Sequence, residues 1–240
     1  MCHNMIIHLA PSVSAPGVCS YLPGRVSRTQ YFYASDLDEF ELDQLLSRGW
    51  RKFGFYFFRP FCESCRACIP VRVCVNSFTP SKSHRRVQRK NQDIRIEFAT
   101  DALVTEEVFR IYEEHSKIRF DRSSDRSDFF QSFGVKSCPS VLSKYYLGET
   151  LCAAGFLDRS SDALSSVYFI YTSEFGCRSP GIFSILQEIE YARSLGGKYY
   201  YLGYLVEGNE RMAYKGHFFP QERMDWDTGE WKNNENFYST

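Results

Sequence analysis

The sequence predicts an α+β protein, a mixed sheet with flanking helices, and three observations predict it. Lys144 to Leu147, Leu151 to Leu157 and Ala163 to Tyr171 are strand-like segments in direct succession, and Gly148-Glu149 between the first two suits a tight turn. Ile182, Ile185, Leu186, Ile189 and Ala192 recur at helical spacing behind Ser179-Pro180-Gly181, and Gly196-Gly197 closes that helix. Tyr199 to Leu202 then resumes strand. Consecutive strands imply an antiparallel sheet. Strands, a small-residue turn, a core helix and a further strand form an acetyltransferase-like (GNAT-related) layout, in which a helix N-terminus and splayed strands frame a cleft. The chain is long enough for one such unit or for two related ones.

The elements ahead of that core follow from local signals. Up to Arg28, Pro, Gly and Ser signal turns rather than periodic structure. Asp36 can cap a helix with Glu39 three residues on, Leu37, Phe40, Leu45 and Leu46 fall near one face, and Gly49 stands where the helix stops. Phe53 to Phe58 reads as a buried strand, and Val71-Arg72-Val73-Cys74-Val75 alternates as a half-exposed strand does. Thr105, followed by Glu106 and Glu107, opens a helix whose Val104, Val108, Ile111, Tyr112 and His115 share a stripe. His115 there belongs to the edge of the core rather than to a ligand set. The change of character divides the chain into a cysteine-containing unit, 1–97, and an acetyltransferase-like unit, 98–240.

Of the 240 residues, 43% are hydrophobic and 17% aromatic, ample for a core and unlike a disordered chain. Twenty-nine basic residues balance twenty-nine acidic ones, so a polyanion site has to come from local clustering. Between Lys82 and Arg95, six cations (Lys82, Arg85, Arg86, Arg89, Lys90, Arg95) face Asp93 alone, a net of +5. On a helix Arg85, Arg86, Arg89 and Lys90 make one cationic face able to sit on phosphates, although the same run also suits a solvated face paired with acids elsewhere. Nine cysteines, an odd count, read as reduced thiols of a cytoplasmic protein. Met1 to Gly17 has no Lys or Arg ahead of Ile6-Ile7 and makes a poor signal peptide. No apolar run reaches the roughly 18 residues of a membrane span, so no membrane partner is expected.

From Phe58 to Arg72 the chain packs Cys62, Cys65 and Cys68 at three-residue spacing between arginines and prolines. Such thiols can converge on a tetrahedral zinc or an iron–sulfur cluster, and Cys19 is the best-placed fourth ligand. Alternatively they are small apolar fillers of a loop stiffened by Pro60 and Pro70.

Six segments in order resemble the arginyl-tRNA–protein transferase family, in its bacterial branch. They are Cys19-Ser20-Tyr21-Leu22-Pro23-Gly24-Arg25; Arg59-Pro60 with the three-cysteine run and Pro70-Val71-Arg72; Arg85-Arg86-Val87-Gln88-Arg89-Lys90-Asn91; Ser165-Ser166-Val167-Tyr168-Phe169; Tyr201-Leu202-Gly203-Tyr204; and Met212-Ala213-Tyr214-Lys215. The resemblance implies transfer of an aminoacyl group from charged tRNA to the N-terminal amine of proteins beginning with Asp or Glu, tagging them for degradation. In this branch the group is leucine, with arginyl transfer by the same mechanism as the alternative. It implies acetyltransferase-related units and no cofactor for the transfer itself. Some eukaryotic members bind an iron–sulfur cluster or other metal, and by position Cys19 and Cys68 correspond to two of their ligands. Leu22 stands at a further one, which leaves Cys62 and Cys65 to complete a structural or regulatory site.

An aminoacyl ester is already activated, so alignment against a neutral amine supplies much of the rate, helped by donors to the developing oxyanion and by a general base. No Ser/His/Asp or Cys/His signature indicates covalent catalysis. An acidic acceptor calls for cations, for which Arg72 and Lys215 are the candidates with Arg59 behind them. Tyr168, Tyr171, Tyr204 and Tyr214 are candidates to line the cleft and stack on the terminal adenosine of tRNA, while Arg85, Arg86, Arg89 and Lys90 go to its phosphates. Each can also be an ordinary ion pair or core residue. An arginyl donor would want a buried carboxylate, and the sequence locates none. Two other classes remain: a metal- or redox-sensing binding protein centred on the cysteines, and a small-molecule acetyltransferase, for which Arg178-Ser179-Pro180-Gly181 is a poor pyrophosphate loop.

Overall fold

The structure, a computed structural model, describes residues 5–234. In chain order it forms β1 (Ile6–Val13), β2 (Gly17–Val18), β3 (Val26–Ser27), β4 (Thr29–Ser35), α1 (Glu39–Ser47), β5 (Arg51–Phe53), β6 (Tyr56–Pro60), β7 (Cys68–Cys74), α2 (Lys82–Lys90), β8 (Ile94–Thr100), α3 (Glu106–Phe120) and α4 (Arg126–Phe129). There follow β9 (Ser140–Leu147), β10 (Thr150–Arg159), β11 (Ala163–Tyr171), α5 (Pro180–Ser194), β12 (Tyr199–Val206), α6 (Glu210–Ala213), β13 (Gln221–Met224) and β14 (Trp231–Asn234). An eight-stranded sheet has the order β14-β13-β7-β12-β11-β10-β9-β8, and a four-stranded sheet the order β1-β4-β6-β5. This is the expected α+β architecture, a large mixed sheet with flanking helices.

The antiparallel run β9–β11 forms as expected, with Gly148 at φ 60° in the turn before β10. The crossover through α5 makes β12 parallel to β11, and their pairing covers only Ala163↔Tyr199 to Ser165↔Tyr201. β11 continues to Tyr171 and β12 to Val206 without further pairing to each other, so the two strands part and leave a gap in the middle of the sheet.

Alternation along the strands builds a layer on each face. Leu164, Tyr200, Leu202, Val71 and Val73 pack with Ile185, Leu186 and Ile189 of α5. Ala163 and Tyr201 face the four-stranded sheet and α1, and Ile170 faces Val108 and Ile111 of α3. Each fully buried aliphatic side chain contributes about 1.5–3 kcal/mol, which fixes α5 against the sheet far more firmly than its helix propensity would. Thr105 caps α3 by accepting from Val108 N–H, and His115 is buried at the core edge, its Nδ1 3.2 Å from the Tyr171 carbonyl.

Three local expectations are corrected. The opening segment is not all turns: β1 pairs with β4, and because β1 is an exposed edge strand held by backbone bonds it leaves no burial pattern to read. Helix α1 is capped by Asp38 with Glu41, not by Asp36 with Glu39; Asp36 lies in the left-handed region at φ 59°. Phe53 to Phe58 is a hairpin broken at Gly54, which has φ 53° and abuts the backbone of Gln131. β7, between β12 and β13, keeps the expected alternation, with Val71 and Val73 buried and Arg72 and Cys74 half-buried. The eight-stranded sheet takes β7 and the whole of β8 from the first hundred residues, and residue 97 lies within β8.

Candidate active site in the gap between two strands

Three of the expected tyrosines gather where β11 and β12 part. A bulge after Ser166 puts Tyr168 on the α3 face, where it stacks on Phe133 at 5.5 Å and burial pushes its hydroxyl up to about 12. Tyr171 ends β11, edge-on to His115 at 4.6 Å with the Arg119 guanidinium 6.0 Å from its ring. Tyr214 approaches from the far side of the gap. Its hydroxyl is raised by burial first, and it feels Arg119, Glu188 and Tyr171 as neighbouring charges.

The two C-terminal motifs meet at Gly203. Lys215 Nζ donates to the Tyr204 carbonyl at 3.2 Å, and a Cβ on Gly203 would stand 3.3 Å from that nitrogen and 4.0 Å from Nε of Arg51. Gly203 has φ 84° and sits at the register shift between β12 and β7, so both backbone shape and free space require glycine. Arg51 is 7% exposed; its Nη1 donates to the Trp50 carbonyl at 3.4 Å, and its Nε and Nη2 have no hydrogen-bond partner among the described residues. Its guanidinium lies 5.0 Å from the centre of the Tyr201 ring and 5.9 Å from that of Tyr204. Burial, and then the charge of Arg51, pull the Lys215 ammonium down to about 7. The one carboxylate that Arg51 feels, Asp158, is itself paired with Lys52 at 2.9 Å.

Under the gap lies Glu188 of α5, fully buried. It accepts from Ser143 Oγ at 3.1 Å, from Tyr145 Oη at 3.3 Å and from the Tyr200 hydroxyl. Burial raises its carboxyl to about 7 against the pull of these three donors. Gly155 makes the space, since a Cβ there would come 2.7 Å from Glu188 Oε1. The chain therefore does hold a buried carboxylate, but its oxygens are engaged by hydroxyls rather than offered to an arginyl side chain. Neither Arg51 nor Glu188 is among the residues expected from the sequence. The signal for Glu188 was there: it falls three residues after Ile185 and four before Ala192, on the apolar stripe of its own helix.

The remaining candidates lie elsewhere. Arg72 is spent on structure: its Nη2 pairs with Glu222 at 2.6 Å, Nη1 donates to Tyr201 Oη at 3.1 Å, and the guanidinium stacks on Tyr199 at 3.6 Å. Arg59 donates to Gln30 at 2.8 Å and covers Trp50 at 4.7 Å. The Tyr204 side chain turns away from the gap, donating to the Gly49 carbonyl at 2.7 Å. Arg59 and Tyr204 line a separate cavity of about 490 Å³ with Cys19, Cys62, Cys65 and Cys68. The four thiols do converge, yet among the described residues no three His, Cys, Asp or Glu side chains stand as a group that could hold a metal ion. Leu22 N–H donates to Cys19 Sγ at 3.4 Å, Cys62 Sγ donates to the Arg28 carbonyl, and burial with the three neighbouring thiols pushes Cys68 up to about 12. As they are placed, the four side chains do not make the closed ligand set that zinc or an iron–sulfur cluster needs, and no step is derived through one.

Helix α2 keeps its cationic face. Arg85, Arg86, Arg89 and Lys90 are exposed; Arg85 donates to the Pro80 carbonyl and Lys90 to the Cys177 carbonyl, both at 2.6 Å. Asn91 reaches the Arg178 carbonyl at 3.0 Å, and Arg178 takes Asp93, the one acid of the run, in a two-pronged pair at 2.7 and 3.0 Å. The basic helix is thereby stapled to the turn that leads from β11 into α5, beside the open end of the gap. Among the described residues no helix is long and apolar enough to cross a membrane.

Residues 17–86 match the model for the arginine-tRNA-protein transferase N terminus, and residues 106–225 that for its C terminus. The chain is 34% identical over 215 residues to the aspartate/glutamate leucyltransferase of Chromobacterium violaceum, covering 88% of this chain and 89% of that one. It is 32% identical over 217 residues to the aspartate/glutamate leucyltransferase of Campylobacter jejuni, covering 85% and 88%. Among solved structures it matches FemX at 10% identity over 85% of this chain and 81% of that one, with a TM-score of 0.46. On the sequence matches, which run nearly end to end, the chain belongs to the arginine-tRNA-protein transferase family.

Proposed function

We propose that this chain transfers leucine from charged tRNA to the N-terminal α-amine of proteins beginning with Asp or Glu, a cytoplasmic step that marks them for degradation. The observation that carries the reading is the convergence of the Tyr201-to-Tyr204 and Met212-to-Lys215 motifs at Gly203, inside the gap between β11 and β12, in a chain of this family. In this reading the parted strands are an acetyltransferase-like core, and 1–97 and 98–240 are two related units.

The reaction joins the acceptor nitrogen to the ester carbonyl carbon, passes through a tetrahedral oxyanion, and breaks the bond to the ribose oxygen of tRNA. The proton lost by nitrogen leaves with that oxygen. No redox partner or resident cofactor is called for, since the ester is activated before it arrives and holding the two reactants in line supplies much of the rate. Tyr168, Tyr171 and Tyr214 offer ring faces to the terminal adenosine, and α2 offers its cations to the phosphates.

Purified protein given leucyl-tRNA is expected to label a peptide beginning with Asp or Glu and to leave the N-acetylated peptide unlabelled, with arginyl-tRNA a poorer donor. Absence of label from every aminoacyl-tRNA tried overturns the proposal. Reversing the charges of Arg85, Arg86 and Arg89 is expected to weaken tRNA binding and to lower the log–log salt slope by about one for each phosphate no longer neutralised. An unchanged slope in a filter-binding titration moves tRNA to another face.

A further inference from the structure

Stability does not account for the carboxylate on α5. Glu188 is 1% exposed on the apolar stripe of its helix, where an apolar or amide side chain of similar size would spare the cost of desolvating an ion. What the position offers is a line of hydroxyls. On the α5 face of the large sheet Tyr200 donates to Glu188 Oε2, while Ser143 and Tyr145 of β9 donate to Oε1 at 3.1 and 3.3 Å. The Tyr200 hydroxyl has Ser166 as its hydrogen-bonding neighbour on the other side. Ser166 is the first residue of β11 beyond the pairing with β12, which ends at Ser165↔Tyr201, and it is half-buried where Tyr200 is sealed. The line runs from the floor of the gap to the carboxylate. Tyr214, across the gap, feels the charge of Glu188 as well.

We infer that Glu188 takes up the proton that the acceptor amine loses as it attacks, passed through the hydroxyls of Ser166 and Tyr200. The inference rests on the leucyl transfer proposed above and adds the residue that serves as its base. As the neutral nitrogen bonds to the ester carbonyl carbon, its N–H proton goes to Ser166 Oγ, the Ser166 proton to Tyr200 Oη and the Tyr200 proton to Glu188 Oε2. When the bond to the ribose oxygen breaks, the protons step back along the line and Ser166 delivers one to that oxygen. Each hydroxyl gives one proton and receives one, so atoms and charge balance and the carboxylate is restored. Ser143 and Tyr145 hold the other carboxyl oxygen throughout, which fixes the group for transfer in one direction. The titratable groups that face Glu188 are Tyr145 from β9, Tyr200 from β12 and Tyr214 from the segment after α6, all raised and so neutral at physiological pH, and β10 offers it only Gly155. The other bases near the gap are engaged with backbone: His115 Nδ1 lies 3.2 Å from the Tyr171 carbonyl, and Lys215 donates to the Tyr204 carbonyl at 3.2 Å.

The test is the pH profile of transfer. The acceptor amine has to be neutral to attack and Glu188 ionised to receive, so log kcat/KM for an Asp-led peptide should rise in wild type with a slope of about two below about pH 6.5. Glu188→Gln should lower kcat about 100-fold, leave the KM values for peptide and leucyl-tRNA unchanged, and reduce that slope to about one. Tyr200→Phe should cost as much, and adding it to Glu188→Gln should cost nothing further, because both interrupt one path. A rate loss in Glu188→Gln with the slope still about two overturns the inference and leaves Glu188 a structural group, as do losses that add in the double variant. A wild-type slope of about one also overturns it, since no group of the protein then has to give up a proton. Should Tyr200→Phe not fold, the slope in Glu188→Gln decides alone. If no aminoacyl-tRNA yields label, the proposed reaction falls and the relay with it; transfer with an unchanged slope in Glu188→Gln overturns the relay alone.

Discussion

Asp158→Asn is expected to destabilise the fold by about 3–5 kcal/mol, the cost of stranding a buried charge. Lys52 and Asp158 form a pair at 2.9 Å with both side chains under a tenth exposed. Burial alone would weaken the proton affinity of Lys52, yet the Asp158 carboxylate overrides it and holds the ammonium more tightly than in water. Lys52 belongs to β5 of the small sheet and Asp158 to β10 of the large one, so the pair braces one sheet against the other. Removing the carboxylate leaves an ammonium with no route to solvent that keeps β5 in place. Replacing both partners together, Lys52→Met with Asp158→Leu, should recover most of the loss, because an apolar pair of similar volume has no charge to desolvate. Urea unfolding of the single and double variants measures the difference. A loss under about 1 kcal/mol in Asp158→Asn would show that Lys52 finds another partner and that the brace lies elsewhere.

That brace also marks where sequence stops specifying the fold in plain view. The elements written in local periodicity came out where the residues put them: β9 to β11, the stripe of α5, and the Thr105 cap of α3. At α1 two overlapping patterns competed, since Asp36 with Glu39 and Asp38 with Glu41 both satisfy a capping box. Tertiary packing decided between them. Leu37, just before the true cap, and Leu42, in the second turn, are buried in one cluster and staple the entry of the helix. Lys215 could be named from its motif because Tyr214 and Met212 stand beside it in the chain. Arg51 could not, as its partners are Gly203 and Lys215, far along the sequence and joined to it only by sheet topology. For Arg72 the motif was visible and its use was not: the Glu222 that neutralises it arrives with β13. A site composed of distant pieces is thus read in halves, the half with a local signature being seen first.

Glu188→Gln should make the protein more stable, and only over part of the pH range. The buried carboxyl titrates near 7 in the fold against 4.5 in the open chain. Between those two values the folded state keeps a proton that the unfolded state has released, so stability falls as pH rises from about 4.5 to about 7 and stays reduced above that. A rise from 4.5 to about 7 corresponds to roughly 3 kcal/mol, lost when the carboxylate has to be charged among Tyr145, Tyr200 and Ser143. Gln keeps the shape, and the three hydroxyls can reorient to accept from its amide. The advantage of the Gln variant over wild type should therefore grow by roughly 2–3 kcal/mol between pH 5 and pH 8, measured as paired urea midpoints. Lys215 does not mimic this. Its ammonium is pulled down from 10.5 to about 7, so its contribution to stability rises with pH, and it does so above 7 rather than below. A pH-independent difference between Glu188→Gln and wild type would show that the carboxyl is ionised in the fold throughout. In that case the hydroxyls under the gap would be stabilising a permanent negative charge within reach of Tyr214, and the electrostatics of the cleft floor would have the opposite sign.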